Sequence, residues 1–151
     1  MFELERLLIT VRMYPTISAK HVETVCTGGI NGLGQWRRLY PVPLRYLAED
    51  LKYKTFYIVE VKIHESTKDH RPETREPDVA TFRVLSHMES WHEKINWVKP
   101  SINPSLRKMQ SLKKTLAPVA VREVLDFTAK PTTLDWSAKQ REKLKQEGLF
   151  E

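Results

Sequence analysis

The run Trp36-Arg37-Arg38-Leu39-Tyr40 concentrates more potential chemistry than any other stretch of this sequence. On a strand, neighbouring side chains point to opposite faces. Trp36, Arg38 and Tyr40 then share one face, and Arg37 and Leu39 share the other. An aromatic–guanidinium–aromatic face can stack bases, at about 1–3 kcal/mol each, and hold the phosphates between them. The same residues have an architectural reading: both rings lie in the core and the Arg38 stem covers them. Arg45, one turn further on, would extend a basic surface. Ser18-x-Lys20-His21 offers polar groups for phosphate or base edges, or is a solvated loop. The charged run from Lys68 to Arg75 is stiffened by Pro72. Binding groups concentrate on such loops when a rigid scaffold holds them, and Lys68 and Arg71 are its candidate phosphate contacts; an ordinary exposed hairpin tip looks the same.

Three other constellations carry possible chemistry. Glu60-Val61-Lys62 puts a carboxylate and an ammonium on one strand face, with Asp50 upstream. That is the pattern of a metal-dependent nuclease, in which the carboxylate holds Mg²⁺ and the lysine stabilises developing charge. The tripeptide is also common on half-exposed strands. The histidines, His21, His64, His70, His87 and His92, are scattered. With one cysteine, Cys26, they give no zinc spacing and no disulfide; Cys26 reads as a small buried hydrophobe. Neither a P-loop nor a nucleophile elbow occurs, so no cofactor and no metal are expected. Near the end, Gln146-x-x-Leu149-Phe150 resembles the short motif with which bacterial proteins dock on the sliding clamp. Gln146 would enter a polar pocket, and Leu149 and Phe150 an apolar one.

The elements that must position these residues follow from periodicity. Leu7, Ile9, Val11 and Met13 alternate as a first strand that Pro15 stops. Val22 to Ile30 is a second strand, Asn31-Gly32 a turn, and Trp36 to Tyr40 the returning strand, ended by Pro41 and Pro43. Leu44 to Leu51 reads as a short helix with Leu44, Leu47, Ala48 and Leu51 on one face. Tyr57, Val59, Val61 and Ile63 mark the strongest strand. A polar loop spans Glu65 to Asp78, and Ala80, Phe82 and Val84 form a further strand. Met88, Trp91, Ile95 and Val98 then fall at helical spacing, followed by Leu106, Met109 and Leu116. Val119 to Phe127 returns to strand character. Lys130 to Thr133 reads as a linker, and Ser137 with Gln140 as a capping box opening a charged helix.

The chain has 151 residues, 40% of them hydrophobic and 29% charged. That suits one domain with an appended tail: a barrel-containing domain over 1–130 and a linker with a helical tail over 131–151. No long apolar run suggests a membrane span, and no basic n-region suggests a signal peptide, so a cytoplasmic location is expected. Lys and Arg number 25 against 19 Asp and Glu, and the net charge of +6 favours a polyanionic partner.

Ser18-x-Lys20-His21, Cys26-x-x-Gly29-Ile30 and Gly34-x-Trp36-x-Arg38 resemble the opening of the dual-OB-containing domains, bacterial modules often encoded near conflict and defence systems. The phrases Trp36-Arg37-Arg38-Leu39-Tyr40-Pro41-Val42-Pro43 and Lys68-Asp69-x-Arg71-Pro72-Glu73 also resemble a bacterial family of unknown function, over most of the chain. In longer members of that family the ending from Asp135 to Glu151 leads into a cysteine-containing region, which this sequence does not include. The resemblance implies an OB-like barrel and a link to mobile DNA or defence.

Together these readings predict an α+β fold built on a small OB-like antiparallel β-barrel, with two or three helices and a C-terminal helical tail. The expected function is non-catalytic binding of DNA or RNA in a bacterial or phage-related defence or DNA-processing assembly. Its residues would be Lys20, His21, Trp36, Arg38, Tyr40, Arg45, Lys68 and Arg71. The alternatives are a subunit that recruits a protein partner through its tail, and the Glu60/Lys62 nuclease.

Overall fold

The structure is a computed structural model that describes residues 1–13, 16–18, 22–103, 105–131, 137, 138 and 142. Seven strands are present among the described residues: β1 (Glu3–Arg12), β2 (Thr16–Ser18), β3 (Val22–Asn31), β4 (Trp36–Val42), β5 (Tyr57–Glu65), β6 (Thr74–Pro77) and β7 (Arg83–His87). Two short helices follow, α1 (Trp91–Val98) and α2 (Leu106–Ser111).

Five strands close into a ring in the order β1-β3-β4-β6-β5 and back to β1. Every junction is antiparallel except β4 with β6, which is parallel, with Arg38 opposite Thr74 and Leu39 opposite Arg75. β1 runs along β5 from Glu3 opposite Ile63 to Leu8 opposite Ile58. β7 pairs with the other end of β5, and β2 folds back on β3. The result is an α+β protein with a small closed barrel, consistent with an OB-like fold. Closure leaves the ring without exposed edges. Among the described residues, no helix is long and apolar enough to cross a membrane.

Alternation fills the barrel. Leu7 and Ile9 of β1, Leu39 and Val42 of β4, and Val59, Val61 and Ile63 of β5 form its core with Leu47, Tyr53 and Phe82. Truncating one such leucine or isoleucine to alanine typically costs about 2–5 kcal/mol, through lost burial and the cavity left behind. Tyr53 stacks on Phe82, with ring centroids 5.5 Å apart, and its hydroxyl pairs with Thr27 Oγ1 at 2.8 Å. Leu8 and Ile30 point the other way and are also fully buried. The Trp97 indole of α1 donates to the Ile30 carbonyl at 2.9 Å, which anchors the helix to that strand.

Several expectations need correction. β4 does not end at Pro41; it runs on to Val42, because Pro41 falls at a register shift opposite Cys26, where no ladder donor is needed. Residues 44–51 form two 3₁₀ turns rather than one helix, since Leu47 between them is extended. Leu44, Leu47 and Leu51 still reach the core, while Ala48 is exposed. The expected loop from Glu65 to Asp78 contains β6, the strand that closes the barrel. Ala80 lies in a 3₁₀ turn ahead of β7, and Phe82 enters the core from the end of that turn. On α1 the buried residue is Lys94, its ammonium 4.3 Å from the Phe56 ring centroid and 4.7 Å from that of Trp91. Leu116 lies beyond α2. Val119 to Phe127 is no strand: only Val119 makes a bridge, to Asn103. The tail expected over 131–151 falls almost wholly outside the described residues.

Candidate nucleic-acid interface

Trp36, Arg38 and Tyr40 lie on the outer face of β4, because Leu39 between them is sealed in the core. Arg37 points with Leu39 and closes a fork on Glu5. The outer face continues onto β3, where Gly28 stands opposite Arg38 and Ile30 opposite Trp36. Gly28 is there for space: a Cβ would come within 3.3 Å of Trp36 Cζ3 and 3.4 Å of Val11 Cβ.

This face is partly covered. A strap, residues 113–119, crosses it and is tied at two points. Thr115 donates from its backbone amide to Glu73 Oε1 at 2.8 Å, and its hydroxyl bonds the same oxygen. Further on, the Asn103 amide donates to the Pro118 carbonyl at 3.0 Å. Arg38 Nη2 donates to Thr115 Oγ1 at 3.0 Å and stands 4.0 Å from Glu73 Oε1. The side chains of Arg38 and Glu73 are 14% and 6% exposed, so this contact is screened little. Trp36 Nε1, Arg38 Nε and Glu73 Oε2 are buried without a hydrogen-bond partner. Such groups are few in native structures, where strain, an ordered water or ion, or a chemical role accounts for them.

Two clefts flank Tyr40, which is 37% exposed. The first, of about 230 Å³, has an apolar floor of Val11, Met13 and Gly28, with Leu116 of the strap as one wall. Arg38, Arg71, Cys26 and Tyr40 complete its lining; the Arg38 guanidinium is bonded to Thr115 and that of Arg71 to Asp69. The second, wider cleft joins Tyr40 to His64, Ser66 and Lys68. There Ser66 donates to Glu76 Oε1 at 2.7 Å and His64 Nε2 lies 4.0 Å from Glu76 Oε2. Ser66 therefore bonds the carboxylate directly, and its oxygen also accepts from the Lys68 and Asp69 amides. That is a loop-shaping hydroxyl, not a nucleophile activated by histidine.

In the β5–β6 loop, Asp69 holds the part that brings Arg71 to the first cleft. Asp69 accepts from the Arg71 amide at 3.2 Å and from Arg71 Nε at 2.8 and 2.9 Å, and it also bonds Nη2. Thr74 Oγ1 adds a bond at 3.0 Å. Arg71 holds the Asp69 carboxyl well below the usual carboxylate range, and Asp69 in turn raises Arg71.

Of the residues singled out in the sequence, Trp36, Arg38, Tyr40, Lys68 and Arg71 thus meet on one side of the barrel. The Arg45 backbone lies in the first 3₁₀ turn, and its side chain is not described. Lys20, His21, Gln146, Leu149 and Phe150 fall outside the described residues. Glu60 is engaged elsewhere: Arg6 Nε donates to its Oε2 at 2.8 Å. No three metal-ligating side chains cluster among the described residues. Sequence reasoning missed Glu73, Thr115 and Leu116. Glu73 stood in the family-like phrase with Arg71-Pro72, but nothing local marked it as the anchor of a segment 42 positions away.

The comparison with curated proteins gives no match, and neither does the comparison with solved structures. A family described as Domain of unknown function (DUF8758) matches residues 3–100, from the start of β1 to just past α1, and the chain belongs to that family.

Proposed function

We propose that the chain binds nucleic acid without catalysis, on the outer face of β3 and β4. OB barrels take oligonucleotides on their second and third strands, between the loops joining strands one to two and four to five. Counted along the chain, β3 and β4 are the second and third strands of the ring and the β5–β6 loop joins the fourth to the fifth. Fold analogy alone would carry little. The observation that carries the reading is the first cleft, whose lining combines Arg38, Arg71 and Tyr40 with the apolar Val11, Met13 and Leu116. Apolar walls with an aromatic edge suit a base, and the arginines suit its phosphate. The net charge of +6 acts in the same direction.

The test is fluorescence anisotropy with single-stranded DNA and RNA at 50 and 200 mM salt. Binding should weaken as salt rises, and Arg38→Ala with Arg71→Ala should lower affinity and flatten the salt slope by about one contact each. Absent binding, or binding indifferent to salt, removes the proposal.

A second reading, a subunit that recruits a protein partner through its C-terminal part, has one observation in its favour. Val121, Val124, Leu125 and Phe127 are each at least 73% exposed on a segment without regular structure. Four large apolar groups on an extended peptide suit capture by a partner's groove. Removal of residues 120–151 should then abolish co-purification of that partner while leaving the barrel folded. A location in a defence or DNA-processing assembly, with docking on a sliding clamp through Gln146, Leu149 and Phe150, belongs to the same reading.

A further inference from the structure

We infer that, while the 113–119 strap is seated, the β3–β4 face takes one nucleobase at a time, as an unstacked or terminal nucleotide rather than a stacked run. The inference rests on the nucleic-acid reading above and adds what the site selects. Its basis is a cavity and its cover. The first cleft, at about 230 Å³, lies below the roughly 300–1,000 Å³ of pockets that enclose whole cofactors. An apolar cavity of about 150 Å³ admits one benzene, so this cleft has room for one heterocycle. Leu116 closes it on the side of Trp36, the next aromatic along β4, and sits close over Gly28, whose Cβ would meet Leu116 Cδ2 at 3.5 Å.

On the Trp36 side of the cleft the strap therefore occupies the position a second base would need. A run of bases would have to lie over Arg38 and Trp36, where Thr115 now bonds both Glu73 Oε1 and Arg38 Nη2. Beneath that cover, Trp36 Nε1 and Arg38 Nε are donors without partners and Glu73 Oε2 is an acceptor without one. Residue 100 ends the family match, so the face comes from the family domain and its cover from beyond it.

Cys26 supplies the assay, since it is the sole cysteine of the chain and lines the cleft. Its alkylation by iodoacetamide is followed in the intact chain against oligothymidylates and oligouridylates of one, two, four and eight nucleotides. The mononucleotide and the octanucleotide should protect Cys26 with affinities within about threefold, after correction for the number of positions on the longer strand. Thr115→Pro removes both the amide and the hydroxyl that hold the strap; Leu116→Ser removes its apolar contact. In either variant, affinity should rise by about fivefold or more for each of the next one or two bases, the gain of a new stacking contact. Circular dichroism identifies a variant that fails to fold, and the length series on the unaltered chain decides the matter without it. Affinity that climbs with length in the unaltered chain, or protection by the octanucleotide without protection by the mononucleotide, overturns the single-base inference and leaves the binding function standing. Failure of every oligonucleotide to bind, at any length, removes the function and the inference together.

Discussion

Arg37 and Glu5 meet in a fork: Arg37 Nε lies 3.0 and 2.9 Å from the two carboxylate oxygens, and Nη2 lies 2.6 Å from Oε1. Both side chains are about nine-tenths buried, at 12% and 9% exposure. Asn31 and Gln35 complete the cluster, with Asn31 Nδ2 3.3 Å from Glu5 Oε1 and Arg37 Nη2 2.8 Å from Gln35 Oε1. Of two adjacent arginines, one therefore ties β4 to β1 and the other faces the candidate ligand site.

That division of labour predicts opposite phenotypes. Arg37→Ala leaves Glu5 buried without its cation and should cost about 3–5 kcal/mol in urea denaturation. Arg37→Lys keeps the charge but not the fork, and should recover only part of the loss. Arg38→Ala removes a 4.0 Å contact and one bond to Thr115 but leaves Glu73 its two bonds from Thr115, so it should cost less stability than Arg37→Ala and lower ligand affinity as well. Equal losses of stability from the two alanine variants would contradict the assignment.

Tyr53 predicts an alkaline limit. Burial pushes its phenol up to about 12 from 10.0, opposed by the Thr27 hydrogen bond. The native state keeps its proton in a range where the unfolded chain has lost it, so stability falls as pH rises. The contribution is complete below pH 10 and is lost progressively between about 10 and 12. Tyr53→Phe should cost about 1–3 kcal/mol at pH 7, by leaving Thr27 without its partner. It should also flatten the pH dependence of the melting temperature above pH 10.

Much of the barrel was legible because its strands obey period two. Val59, Val61 and Ile63 are buried while Lys62 is exposed, and the Trp36/Arg38/Tyr40 face separates from Arg37/Leu39 as alternation requires. β6 was not legible, since Thr74-Arg75-Glu76-Pro77 carries no apolar pattern; backbone pairing to β4 and β5 makes it a strand. Lys94 was illegible for a related reason. Trp91 and Ile95 set the helical spacing, yet both are exposed, and the ammonium over two rings lies on the buried side. The strap escaped notice because its anchors, Glu73 and Asn103, are 42 and 15 positions from the residues they hold, Thr115 and Pro118, and no local pattern links them.

The β3–β4 turn predicts a contrast between two glycines. Gly34 has φ +73°, and a Cβ there would sit 3.1 Å from Pro100 Cβ and 3.2 Å from the Pro100 carbonyl carbon. Left-handed backbone costs an L-residue about 1–2 kcal/mol, and the contact adds to it, so Gly34→Ala should destabilise by at least about 1 kcal/mol. A Cβ on Gly32 would meet nothing within 4 Å. Gly32→Ala should stay within about 0.5 kcal/mol of the parent. Equal midpoints for the two variants in urea would refute the role given to the turn.

Asp69 and Arg71 predict how the loop responds to acid. Because Arg71 depresses the Asp69 carboxyl, the native state binds its proton less readily than the unfolded chain. The contribution of the fork is present above the ordinary aspartate pKa of about 3.9 and is lost as pH falls below it toward the depressed native value. From pH 5 to 8 the loop should therefore keep its shape, and any pH dependence of ligand binding in that range must come from other groups. Arg71→Gln removes the largest cause of the shift. The Asp69 carboxyl resonance, followed by NMR, should then titrate close to the ordinary range, whereas in the parent it should remain ionised at pH 3. A parent midpoint near 3.9 would show that the fork does not hold in solution. Arg71 would then be a mobile cation at the cleft mouth, and its contribution to binding would be long-range charge rather than a positioned contact.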